Sequence, residues 1–263
     1  TITAQAVSAL WVLRFLSGKR TRLRLQRRYL RINFRVLAPV LALGLSPFIM
    51  NATESLVNVA FNASLKSYGG TPAVGAMTIC SSVLQIIFLL LQGIAQGAQP
   101  IIGFNYGAGN LDRVKKVVRL LACSAMVFSC TACLALELFP HAFVLLFNDK
   151  PELVDLAVWA LRIYAAGMFM LGIQSACQQT FVALGQAKIS LFLALLRKII
   201  LLLPLILLLP RLIPGQPVMA VFLAEPVADI LAALTTGGMF LWRFPHILAN
   251  RRKELEHIRT GET

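Results

Sequence analysis

The chain has 263 residues and a mass of 28.8 kDa; 58% of it is hydrophobic and 14% charged, with a mean hydropathy of +0.75. Soluble domains carry roughly 45–50% apolar and about 25% charged residues, so this composition argues against a soluble globule, a disordered chain and a secreted disulfide scaffold. The net charge of +14 would suggest nucleic acid as the partner of a soluble protein, but its placement along the chain is that of an all-α, polytopic membrane helix bundle.

Residues 1–16 are largely apolar but shorter than the roughly 20 residues a spanning helix needs. They read as the end of a preceding transmembrane helix, which implies that an N-terminal part is missing. Residues 17–35 form a basic linker. Residues 36–243 hold six candidate spans, at about 36–66, 72–103, 117–139, 157–184, 189–209 and 217–242. Residues 244–263 form a polar tail.

Breakers mark the connections at Tyr68–Pro72, Asn148–Pro151 and Pro210–Pro217. One basic residue lies in or beside each of those three loops: Lys66, Lys150 and Arg211. The intervening polar segments carry 21, nine of them between Arg14 and Arg35. The two sets alternate, as six spans require. The positive-inside rule then puts the basic set, including the C-terminus, in the cytoplasm. The charge is therefore read as topology, with no nucleic-acid partner. The bilayer itself is the first partner implied.

Polar residues inside apolar runs are the informative ones, because each is costly in lipid. Asn51, Glu54, Asn58 and Asn62 follow at spacings that put them on one face of the first span. Gln85, Gln92, Gln96 and Gln99 do the same on the second, with Thr78 and Ser81 extending the stripe. Two such stripes on consecutive helices suggest a shared polar cavity; the simpler alternative is hydrogen bonding between buried amides. Glu54, alone in charge between Arg35 and Lys66, is a candidate proton or cation site; the simpler alternative is a carboxylate hydrogen-bonded to a neighbouring helix. The last two spans hold Arg197, Lys198, Glu225 and Asp229. Arg197 and Asp229 each lie 12 residues from the outer ends of their spans, at Leu209 and Pro217. Equal depth on antiparallel neighbours predicts a structural ion pair, with Glu225 on the same helical face as Asp229; the alternative is a role for Asp229 or Glu225 in the cavity.

Several features read as structural. The five cysteines lie in apolar segments and form no metal-like cluster with the histidines, and no metal site is expected. Gly93 and Gly97 form a GxxxG that permits close helix approach. Pro47, Pro100, Pro204 and Pro226 lie within spans as candidate kinks. There is no phosphate loop, HExxH or GxSxG, so no catalytic residue is assigned and the chain is not read as an enzyme.

The run GIAQGAQPIIGFNYGAGNLDRVKK at 93–116 resembles a helix end and cytoplasmic loop of the multidrug and toxic compound extrusion (MATE) family, in its MepA-like branch. So do SLVNVAFNASLKSYGG at 55–70, QQTFVALGQAK at 178–188, LLRKIILLLPLILLLP at 195–210 and LAEPVADILAAL at 223–234. The resemblance implies the C-terminal six-helix lobe of a twelve-helix transporter, with 17–35 as the cytoplasmic inter-lobe linker and an N-terminal lobe as partner. It implies a multi-pass exporter of the bacterial plasma membrane. Such a protein exchanges small cationic or amphipathic compounds for H+ or Na+ by alternating access, without a cofactor. Glu54 then resembles the acidic residue that some members carry in the seventh helix. Those members also have an Asp in the tenth, whereas residues 157–184 here offer Gln174, Gln178 and Gln179 and no acid. Gln174 and Gln178 join Asn51, Asn58, Asn62, Gln85, Gln92 and Gln96 as cavity candidates. The alternatives are a lipid-linked oligosaccharide flippase of the same superfamily and a non-transporting membrane scaffold.

Overall fold

The computed structural model describes residues 2–17 and 34–260, and every regular element among them is helical. Most of the expected basic linker, residues 18–33, lies outside the described residues. The chain divides into two units, Thr1–Phe48 and Ile49–Thr263. The first holds α1 (Ile2–Ser17) and the start of α2 (Phe34–Gly107). The second holds the rest of α2, then α3 (Leu111–Leu138), α4 (Pro140–Leu145), α5 (Pro151–Ala165), α6 (Leu171–Ala183), α7 (Ala187–Leu195), α8 (Leu203–Leu212) and α9 (Pro217–Thr260).

Four helices in the described residues are long and apolar enough to cross a membrane: Ala52–Gly107, Leu111–Leu138, Lys188–Leu212 and Pro217–Glu256. The bent pair Pro151–Ala165 and Met168–Ala183 makes a fifth if counted as one span. The 56 residues of Ala52–Gly107 would extend about 84 Å if straight, against a hydrocarbon core of about 30 Å. They are not straight. Gly70 has φ 67° and ψ −162°, a conformation open only to glycine. Asn58 and Ser82 would be about 36 Å apart on a straight helix, yet both line one cavity. The chain therefore turns back on itself at Gly70, inside the Tyr68–Pro72 breaker.

Each arm of this hairpin has an apolar row beside its polar one. On the first arm Val57, Phe61 and Leu65 are buried, while Glu54, Asn58 and Asn62 stay exposed one row over. On the second arm Ala76, Cys80, Val83, Ile87, Leu91 and Ala95 are buried. Edge-to-face rings join this core across three helices. Phe61 meets Tyr164 at 6.0 Å between centroids, and Tyr164 meets Phe222 at 6.3 Å. Such pairs add about 0.5–1.5 kcal/mol beyond burial.

The expected span 157–184 is not one straight helix. It breaks at Ala166–Met170 with a bend of 43°. Broken backbone at membrane depth must find partners inside the protein. Ser129 of α3 supplies them: its hydroxyl contacts the carbonyls of Met168 at 2.6 Å and Phe169 at 3.0 Å, and accepts from the amide of Gly172 at 3.3 Å. Helix α6 packs against α3 and α9, and two glycines set the approach. A Cβ on Gly172 would lie 2.5 Å from the Ala125 carbonyl oxygen, and one on Gly167 would lie 2.6 Å from Cα of Pro226. A Cβ on Gly93 or Gly97, the expected close-contact pair, would meet nothing within 4 Å among the described residues. The close packing expected of that GxxxG is made elsewhere, by glycines that carry no such motif.

Helix α9 packs along α5, α6 and α8 and continues into the tail. There Arg251 donates to the Gly107 carbonyl oxygen at 3.2 Å and lies 5.6 Å from the Tyr106 ring centroid. A cation on the last carbonyls of a helix is a favourable C-terminal partner, so the tail is tied to the α2–α3 loop.

Candidate polar cavity and charge cluster

The two arms of α2 form a half-open cavity of about 200 Å³ lined by Asn58, Phe61 and Asn62 from one arm and by Met77, Thr78, Ser81, Ser82 and Gln85 from the other. The hydroxyls of Thr78 and Ser82 donate to carbonyls one turn back, at 2.9 and 2.8 Å. Their protons are thus committed to the helix, and their lone pairs remain as acceptors. Among the described residues the lining is amides and hydroxyls with Phe61 and Met77 as its apolar part, and no charged side chain.

Not every candidate residue reaches this cavity. Asn58, Asn62 and Gln85 line it. Gln92 and Gln96 lie further along the second arm and bond to each other, the Gln96 amide donating to Gln92 Oε1 at 3.2 Å. Gln174 is buried on α6, and its Oε1 has no partner among the described residues. Gln178 is half-buried on the same helix. Asn51 sits in α2, but its side chain lies outside the described residues.

The charged candidates form a separate cluster. Arg197 donates through Nε to Asp229 Oδ1 at 2.6 Å and through Nη2 to Glu225 Oε1 at 3.0 Å. All three side chains are nearly buried, at 14%, 5% and 11% exposure. Glu54 does not stand alone: it is bonded to a neighbouring helix, the simpler of its two readings. Lys198 Nζ lies 2.7 Å from its Oε2 and 3.0 Å from its Oε1. Sequence reasoning named Lys198 but gave it no partner. A signal was present: Glu54 lies 12 residues from Lys66 and Lys198 11 from Leu209, which puts both at one depth.

Arg197 and Lys198 fall in a π-helical stretch, Leu196–Leu202, between α7 and α8. Such widened turns are rare and frequent at functional sites. Neighbouring residues on a helix project in different directions, so Arg197 reaches α9 while Lys198 reaches α2. One short segment thereby ties two other helices together.

The MatE family model matches residues 47–208, more than half of the chain and most of the cavity and charge cluster. The chain belongs to the MatE family, the extrusion family its motifs resemble. It is thereby a multi-pass helical membrane protein. Multidrug export protein MepA of Staphylococcus haemolyticus (strain JCSC1435) is 22% identical over 72% of this chain and 41% of its own length. Multidrug export protein MepA of Staphylococcus aureus (strain N315) is 25% identical over 63% and 36%. The chain thus matches less than half the length of these MepA relatives. Among solved structures, the MATE multidrug transporter DinF-BH superposes with a TM-score of 0.76 at 31% identity, over 94% of this chain and 55% of that one. An inward-facing MATE family transporter of the MOP superfamily superposes with a TM-score of 0.81 over 96% and 57%. At 16% identity that second likeness concerns the fold.

Proposed function

We propose that this MatE chain forms one six-span lobe of a secondary active exporter of the bacterial plasma membrane. In this reading the exporter moves small cationic or amphipathic compounds against H+ or Na+ by alternating access. Six spans follow if the Gly70 turn divides Ala52–Gly107 into two and the bent pair α5–α6 counts as one. The chain's C-terminus then lies in the cytoplasm with the other basic segments, and an N-terminal lobe completes the transporter.

The cavity between the arms of α2 is the observation that carries this reading. Asn58, Asn62, Ser81 and Gln85 offer polar contacts and Phe61 an apolar wall, a combination that suits an amphipathic organic solute. The MepA relatives, which are multidrug export proteins by name, support the same class. A flippase for a pyrophosphate-linked lipid calls for lysine or arginine in the lining, and the described residues put neither there. Glu54 is the proposed ion-coupling carboxylate, and the buried Arg197–Asp229–Glu225 group the structural counterpart.

The test uses everted membrane vesicles from cells expressing the longest reading frame that contains this chain. Uptake of tetraphenylphosphonium driven by an imposed pH or Na+ gradient supports export and names the ion. Uptake that neither gradient changes, in vesicles shown to contain the protein, overturns it.

A further inference from the structure

The two charged groups held by the π-helical stretch differ in one respect. The Arg197 pair is sealed: Asp229 and Glu225 are 5% and 11% exposed. The Lys198 pair is open on one side. Lys198 is 19% exposed, but its partner Glu54 is 54% exposed, with both carboxylate oxygens within 3.0 Å of one ammonium. Glu54 thus offers its outer face to whatever approaches, while a cation from within the protein holds its inner face.

An incoming cation must therefore compete with Lys198. The competition is close to balanced where the open face of Glu54 meets water, since an ion pair in contact with solvent contributes only about 0–1 kcal/mol. Lysine suits the part: its charge is a compact point on a flexible four-carbon stem, without the planar fork that fixes arginine to a carboxylate. The displaced ammonium keeps a favourable field. Two cations, Arg197 and Lys198, face three carboxylates, Glu54, Glu225 and Asp229. When a ligand takes Glu54, the surplus negative charge of the α9 pair remains for Lys198.

We infer that Lys198 is a tethered competitor cation: it occupies Glu54 when no ligand is bound, yields it to an arriving organic cation, and drives that cation off again by returning. Lys198 thereby sets the affinity and release of cationic ligands without being the ion exchanged. A neutral solute gains nothing from displacing it, so the pair also selects for positive charge. The inference rests on the export reading for the kind of ligand, but the exchange at Glu54 is a binding event that stands or falls separately.

The test is made on the purified protein with tetraphenylphosphonium as the probe. A carbodiimide joins a carboxylate to an amine in direct contact as an amide, with loss of one water. Mass spectrometry is expected to find Glu54 joined to Lys198 in the free protein, with the yield falling as tetraphenylphosphonium saturates. By equilibrium dialysis, Lys198→Gln is expected to bind the probe about tenfold more tightly, equal to about 1.4 kcal/mol. Lys198→Arg, whose planar fork grips the carboxylate more firmly, should bind the probe more weakly than the native protein, and the gain should vanish in Lys198→Gln combined with Glu54→Gln. No amide, an amide yield indifferent to the probe, or unchanged affinity in Lys198→Gln overturns the inference. Gradient-driven uptake together with an indifferent amide yield would leave export standing and remove Lys198 from it. A probe-sensitive amide without uptake would do the reverse.

Discussion

Arg197 and Lys198 are adjacent in sequence and serve different helices. Arg197 binds Asp229 and Glu225 on α9, and Lys198 binds Glu54 on α2. The two charge groups are thus held by one π-helical stretch, and the consequences of removing each are distinct.

Removal of the buried partner is the costlier change. Arg197→Met leaves Asp229 and Glu225 without their guanidinium in a nearly closed site, a loss of about 3–5 kcal/mol. Thermal unfolding in detergent is expected to show this as a large fall in midpoint, with reduced membrane yield. The exchange Arg197→Asp with Asp229→Arg should recover part of it. A single variant as stable as the native protein would show that the pair is not structural.

Ser129 closes the break between α5 and α6 with one hydroxyl shared by two carbonyls and an amide. Ser129→Ala leaves those groups without that partner, and about 1–3 kcal/mol of stability should be lost. Hydrogen exchange is expected to rise at Gly172, whose amide donates to Ser129. Exchange unchanged there would mean that the break is held by other contacts.

The glycines separate packing from motif. Gly172→Ala puts a methyl 2.5 Å from a backbone carbonyl oxygen, and overpacking of this kind costs about 1–3 kcal/mol. Gly93→Ala meets open space and should be neutral or slightly stabilising, since alanine is the better helix former. Denaturation midpoints of the two variants measure the difference directly, and a destabilised Gly93→Ala would restore the GxxxG reading.

Much of this organisation is legible in the sequence. The Gly70 turn lies within a Gly-Gly-Thr-Pro breaker, and the polar stripes follow from side-chain spacing alone. Arg197 and Asp229, matched only by counting inward from span ends, do meet. Other features were hidden for physical reasons. The break at Ala166–Met170 contains no proline and only one glycine, because Ser129, distant in sequence, satisfies it. The Lys198–Glu54 contact joins elements 144 residues apart, and the neighbouring Arg197 offered the more evident partner for the same stretch. Gln92 and Gln96 share a stripe with Gln85 but pair locally, since a continuous helical face can run past the end of a cavity.

Six spans place Gly70 and Gly109 on opposite sides of the membrane. Single cysteines at Lys66 and at Lys115, in a background freed of the native thiols, should label with an impermeant maleimide from opposite sides, Lys115 from the cytoplasm. Labelling of both from one side would contradict the six-span topology and leave the count at five or fewer.

The most direct measurement is gradient-driven tetraphenylphosphonium transport by Asn58→Leu combined with Gln85→Leu, set beside Gly93→Ala and the native protein. Both substituted residues line the cavity between the arms of α2, whereas Gly93 meets open space. If that cavity holds the exported solute, the double variant should lose at least tenfold in kcat/KM, equal to about 1.4 kcal/mol, at native membrane levels, while Gly93→Ala transports normally. Undiminished transport by the double variant would contradict the assignment of the cavity to substrate.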